Sequence, residues 1–260
     1  LTGGLRVETD PLDLSGWVTP GALGLPDEGP ARQLVERFEA AGFGVNRRAA
    51  AASLLLRYGW GAGFHIAAYL ACRRVPVLDE AAVRFSASTL IEGVWIRRSR
   101  FVGLAGDPLA GGPLWEEAAD LAALRRRLLE SLVAFTEPLL AEQHRWSRFS
   151  RHALWAMVAS SWAEQFLTIG QRLGRREDAL AEARALLAMD LEIARAAPDL
   201  YEVRQGEDSK VCQKRAACCL YFKSPRRHFC ASCPIIPEAE RLERNRQWVR
   251  AYPSATRAAS

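Results

Sequence analysis

The sequence predicts a mainly helical α+β protein, with a helical body, a small antiparallel β region and a C-terminal module built around cysteines. Three observations carry this reading. Apolar residues recur at steps of three and four along most of the chain, one short stretch alternates with a period of two, and five of the six cysteines fall between residues 212 and 233. With 260 residues and 49% hydrophobic composition, the chain can bury a sizeable core.

Residues 1–28 hold Pro11, Pro20, Pro26 and several glycines, which suits an irregular arm. Pro30 sits where a helix begins, and Leu34, Phe38 and Ala41 follow at helical spacing before Gly42 and Gly44 end it. Asn46 caps a second helix whose alanine-rich body runs to Tyr58. Gly59, Gly61 and Gly63 interrupt it around Trp60, and residues 64–74 are helical again until Pro76 closes the segment. The period then changes. Val83, Phe85 and Ala87 alternate with Arg84, Ser86 and Ser88 as in a half-buried strand, with residues 94–96 and 101–104 as its pairing partners.

After a Gly/Pro loop over 106–113, the helical pattern returns over 115–144, with a break expected at Pro138. Residues 150–173 place Trp155, Val158, Trp162, Phe166 and Ile169 on one face. Residues 177–195 form a further amphipathic helix. Pro198 and Gly206 then mark a boundary, dividing the chain into a body over 1–205 and a module over 206–260. Pro237 opens the last helix, where Glu240 and Arg244 are four residues apart and Leu242 and Val249 are available for packing. Residues 254–260 are expected to fray.

Residues 1–17 carry no basic stretch followed by an apolar run, and no segment reaches about 18 uninterrupted apolar residues, so the chain reads as soluble and unexported. Disulfide frameworks belong to short secreted chains, so clustered cysteines here read as metal ligands. The net charge of +5 permits an anionic partner without requiring one. No glycine-rich phosphate loop follows a strand, which leaves no built-in nicotinamide or flavin site. His144, His152 and His228 complete no spaced cluster with a second histidine.

The chemistry lies in the pattern C-C-x10-C-x2-C that starts at Cys218. Cys230 and Cys233 have the spacing with which a tight turn offers two thiolates to one metal, a device of both zinc and iron–sulfur sites. Cys218 and Cys219 are adjacent, so their side chains diverge, and both reach a single tetrahedral ion only with distortion. Two irons offer anchoring points further apart, which favours a 2Fe-2S cluster over zinc. Residues 209–233 hold Lys210, Lys214, Arg215, Lys223, Arg226 and Arg227 and no acid. Such cations favour the reduced form of a negatively charged cluster, although the same run suits a solvated basic face for nucleic acid. Cys212, six residues before the ligand pair, is either an alternative ligand or a passive neighbour, and the passive role is favoured because four ligands already complete the cluster.

In the contexts Arg215-Ala-Ala-Cys-Cys-Leu-Tyr and Cys230-Ala-Ser-Cys-Pro234, this motif resembles the C-terminal signature of the FhuF-type ferric-siderophore reductases. Residues 54–78, with their Arg-Val-Pro ending, and 125–173, including Arg151-His-Ala-Leu-Trp-Ala-Met-Val-Ala-Ser-Ser-Trp, are also similar to segments of that family. The resemblance implies a protein that is cytoplasmic or peripheral to the inner membrane. It would bind a ferric siderophore through the body over 1–205 and pass one electron to the iron, releasing Fe(II). Cys218, Cys219, Cys230 and Cys233 carry over as 2Fe-2S ligands, and no catalytic group beyond the cluster is required.

Electrons would come from a separate donor such as a ferredoxin or a flavin reductase, with no nucleic-acid partner. Arg215, Arg226 and Arg227 are candidate substrate contacts by their closeness to the cysteines. Trp60, Trp155 and Trp162 are candidate groove walls that otherwise belong to the core. Two other readings stay open: an iron–sulfur carrier or redox sensor without siderophore binding, and a zinc-stapled nucleic-acid-binding protein.

Overall fold

The aromatic helix face read from the sequence becomes the centre of the molecule. The computed structural model describes residues 6–9, 15–26, 29–42, 45–77, 80–86, 91–97, 100–224 and 228–252. The described elements begin with β1 (Arg6–Glu8), β2 (Trp17–Val18), α1 (Pro20–Leu23), α2 (Pro30–Ala40), α3 (Arg47–Tyr58), a 3-10 turn (Gly59–Ala62) and α4 (Gly63–Cys72). Strands β3 (Arg74–Val77), β4 (Glu80–Phe85), β5 (Ile91–Arg97), β6 (Arg100–Leu104) and β7 (Trp115–Ala118) follow. Then come α5 (Leu121–Ser147), α6 (Arg151–Arg172), α7 (Arg176–Leu187), α8 (Leu191–Ala196), β8 (Asp199–Gln205), β9 (Asp208–Lys214), a 3-10 turn (Tyr221–Lys223) and α9 (Glu238–Ala251). The fold is the mainly helical α+β class that the sequence predicts.

Helix α6 is buried on nearly every face, with Trp155, Met157, Val158, Trp162, Phe166 and Ile169 inside the core. Ser150 caps it by accepting from the Ala153 N–H at 3.2 Å, and Asn46 caps α3 in the same way from Ala49 at 3.1 Å. Helices α3, α4, α7 and α8 pack around α6. Small residues let them approach: a Cβ on Gly59 would lie 2.7 Å from Cβ of Ser161, and one on Gly170 would overlap Ala179.

Helix α5 packs against this layer and runs through the expected break at Pro138, which lies within the helix and against Gly24, where no side chain intervenes. The start of that helix also differs from the sequence reading. Trp115, whose ring lies over Gly103, opens strand β7, and the helix starts only at Leu121, where Asp120 accepts from the Ala123 N–H at 2.7 Å.

The β region is richer than its sequence pattern. Strands β1, β5, β4 and β2 form one sheet in that order, β3, β6 and β7 a second, and β8 and β9 a hairpin; four of the six pairings are antiparallel. Strand β5 pairs with β4 as expected, but β6 pairs with β3 and β7 instead. Helix α4 ends at Cys72, with Arg73 left-handed at φ 53°, and Pro76 sits within the edge strand β3, where a missing N–H is tolerated. The arm before residue 28 contains β1, β2 and α1 rather than irregular chain alone. Ala87, Ser88 and residues 254–260 lie outside the described residues.

The helix expected over 177–195 is two helices. Asp190 accepts from the Ile193 N–H at 3.0 Å and so begins α8 after α7 has ended. The division at 205/206 falls on the hairpin turn at Gly206, φ 61°, between two strands paired from Asp199–Lys214 to Gln205–Asp208. Helix α9 packs on this hairpin, and Asn245 donates to the Tyr201 hydroxyl at 2.7 Å. Among the described residues, no helix is long and apolar enough to cross a membrane.

Candidate metal centre

Strand β9 delivers the chain to Arg215, and three backbone features shape the cysteine segment beyond it. The Arg215 N–H donates to the Ser232 carbonyl at 3.0 Å, which ties the two cysteine pairs together. Cys233 N–H donates to the Cys230 carbonyl at 3.1 Å, closing the tight turn that the C-x2-C spacing predicts. Leu220 takes a left-handed conformation, φ 60°, directly after Cys219, and its N–H points at the Cys218 sulfur at 3.3 Å.

The intervening loop is pinned by ring contacts. Phe222 stacks on Phe229 at 5.0 Å, and Tyr221 meets His228 edge-on at 5.0 Å. Helix α9 braces it from below, where Arg244 donates to the Phe229 carbonyl at 2.6 Å.

The four sulfurs are not equivalent. Cys219 and Cys233 are buried, and Cys219 belongs to the main hydrophobic core, while Cys218 and Cys230 are half-buried. The Cys219 thiol donates to the Cys230 sulfur, which also receives Nη2 of Arg215. That hydrogen bond, helped by the guanidinium, pulls Cys230 down to about 6 against its burial. Cys219, as donor and buried, is held well above the ordinary thiol range, and burial also raises Cys233. Backbone N–H groups of Tyr221, Ile235 and Ile236 bear on Cys219 and Cys233.

Arg215, one of the candidate substrate contacts, faces the interior. It is buried, with Nη1 3.8 Å from the Met157 sulfur of α6, and among the described residues its Nε has no hydrogen-bond partner. Burial disfavours its charge, yet the Cys219 and Cys230 sulfurs outweigh that and hold the guanidinium above its ordinary value. Its charge therefore points inward to sulfur. Arg226 and Arg227 lie outside the described residues.

Trp155 and Trp162 are core, in edge-on contact at 5.8 Å, whereas Trp60 is 45% exposed. Cys212 is buried in β9 and pushed up to about 11 by that burial, which suits a passive thiol. His144 and His228 bond or stack locally, at the Phe149 carbonyl and the Tyr221 ring. His65, which the sequence reading passed over within an apolar helix, is fully buried between Phe64 and Phe135. Among the described residues neither ring nitrogen has a partner, and burial lowers the imidazole to about 3.

Among the described residues, no three His, Cys, Asp or Glu side chains converge on a point as a preformed single-ion site would. What the segment offers is a set of four soft sulfur donors, peptide N–H groups aimed at them, and a buried cation in contact with one sulfur. That donor set fits an iron–sulfur cluster. Residues 215–234 match the FhuF 2Fe-2S C-terminal domain. The match covers the cysteine segment and assigns it a 2Fe-2S cofactor. No curated protein and no solved structure matches the chain.

Proposed function

We propose that the chain is a ferric-siderophore reductase, taking one electron from a separate donor and passing it to siderophore-bound Fe(III), with release of Fe(II) in the cytoplasm. The observation that carries this reading is the buried Arg215 guanidinium against the Cys230 sulfur, within the segment that matches the FhuF domain. Cys218, Cys219, Cys230 and Cys233 would hold the cofactor. When bound, a 2Fe-2S cluster supplies a one-electron carrier.

The protein's own residues do the rest. Arg215 sets a fixed positive charge beside the sulfurs, which favours the form carrying one more negative charge. Cys219 and Cys233 anchor the segment in the core, and the half-buried Cys218 and Cys230 form the side nearer solvent, where donor and substrate approach. Lys214 and Lys223, with Arg226 and Arg227 close by in the sequence, add positive charge to this segment, suited to an acidic ferredoxin or flavin reductase and to an anionic chelate.

No proton-transfer group is needed, because hard oxygen chelators hold Fe(III) tightly and Fe(II) far less, so reduction alone loosens the complex. Residues 206–260 then act as the redox module, and 1–205 as the body against which the siderophore is held beside it.

The test uses the full chain purified anaerobically and reduced with dithionite. Adding a panel of ferric siderophores should bleach the reduced signal stoichiometrically, with Fe(II) collected by a ferrous chelator. Reoxidation no faster than in buffer across hydroxamate, catecholate and carboxylate chelates would overturn the reading.

A further inference from the structure

A cavity of about 900 Å³ lies between α6, the turn into α7, strand β9 and helix α9, with Glu164, Arg172, Arg176, Lys210, Trp248 and Tyr252 among its walls. Lys210 is 9% exposed, with Nζ 4.3 Å from the centre of the Trp248 ring and 5.9 Å from that of Tyr252. Among the described residues, no carboxylate lies within ion-pair distance of that ammonium, an uncompensated burial that the rings offset only in part. The carboxylates that bear on it from further away are Asp208 and Glu164. Glu164 receives Nε2 of Gln213 at 3.1 Å, and burial biases it toward the neutral form.

Arg176 stands at the rim, donating to the Ser209 carbonyl at 2.8 Å and facing Glu202 at 4.0 Å. Trp248 and Tyr252 remain 39% and 62% exposed, and so offer apolar ring faces at the mouth. The walls therefore combine a buried cation without a carboxylate partner, further positive charge and two rings.

We propose that this cavity binds an anionic ligand carrying a planar ring, of the aryl-carboxylate or catecholate class, with its anion on Lys210 and its ring against Trp248 and Tyr252. The position relates to the redox site. Gln213 is two residues from Arg215, and Glu164 is two turns of α6 from Met157, which Arg215 touches, or about 10 Å of helix rise. Resting on the reductase reading, the natural ligand is then a ferric chelate with negatively charged aromatic arms.

The experiment titrates the full chain with 2,3-dihydroxybenzoate and with its ferric complex, read by calorimetry and tryptophan fluorescence, beside the neutral ferric acetohydroxamate complex. Lys210→Met should weaken both aryl probes at least about tenfold, while Lys210→Arg retains them and Trp248→Ala loses several-fold. Retention by Lys210→Arg shows that charge, and not folding, is at stake.

Binding by Lys210→Met within about twofold of the parent chain, or equal loss for the neutral hydroxamate complex, would overturn the site. Reoxidation of the reduced protein by the ferric aryl complex, followed in the same variants, separates the two proposals. Charge-dependent binding with no reoxidation by the aryl complex or by any other chelate of the siderophore panel supports the site and removes the reductase reading, and reoxidation indifferent to Lys210→Met removes the site and leaves that reading.

Discussion

Two regions of this molecule bury side chains for different reasons. Around α6, burial is apolar and mutual: Trp155, Trp162, Phe166 and Ile169 meet α3, α4, α7 and α8 through small residues that let the helices close up. Among its described residues the cysteine segment has little regular structure beyond the 3-10 turn at Tyr221–Lys223, yet Cys219 and Cys233 are as hidden as core leucines. Directional contacts hold it: the Arg215–Ser232 backbone bond, the Cys230–Cys233 turn, the Phe222–Phe229 stack and the Arg244 tie to Phe229. Nonspecific burial can support a body by itself, whereas a segment held by a few directional contacts is where a bound cofactor would add most to the stability of the local structure.

The largest expected effect separates the regions outright. Cys219→Ser should lower bound iron and acid-labile sulfide at least about tenfold while leaving the far-ultraviolet helical signal in place. Loss of the helical signal would mean that the body leans on the cofactor too.

The converse change is Trp162→Ala, which empties a fully buried ring site. It should cost about 3–5 kcal/mol in urea unfolding, with the iron-to-protein ratio of the folded fraction unchanged. A smaller change lies on the border between the regions. Arg215→Met keeps much of the side-chain volume but removes the buried cation, and should lower the reduction potential on the order of 60 mV at full iron content. An unchanged potential in a protein-film titration would deny that this charge acts on the sulfurs.

The smallest effect is a pH dependence. Burial raises Glu164, so the folded chain holds that proton more tightly than the unfolded chain does. Its contribution is complete below the ordinary carboxylate value and is lost as pH rises through the raised one. Glu164→Gln should therefore flatten that part of the stability curve, measured as urea midpoints on either side of the carboxylate range.

Local signals were the readable ones. Asn46 caps the helix that follows it, and the three-and-four spacing over 150–173 marks the buried face of α6, because each depends on residues within one or two turns. The misreadings at Pro76, Trp115 and Pro138 share a cause. Whether a proline can sit in an edge strand or against Gly24, and whether a tryptophan belongs beside Gly103, depends on partners far away in the chain. The same holds for β6, which the alternating pattern assigns to β4 and the structure assigns to β3 and β7. At the site, the cysteine spacing was legible, but the basic run did not reveal which cation turns inward.

By its sequence alone the chain determines its helical periodicity, its caps and a donor set of four thiols whose spacing and softness suit two irons, since these are properties of neighbouring residues and of sulfur itself. Tertiary structure alone decides that Arg215 lies against Cys230 and Met157, that His65 is sealed neutral between phenylalanines, and that Lys210 lies over the Trp248 ring in the wall of a cavity. Each of those placements sets the free energy of a charge by its distance from groups remote in sequence, and only the folded chain defines that distance.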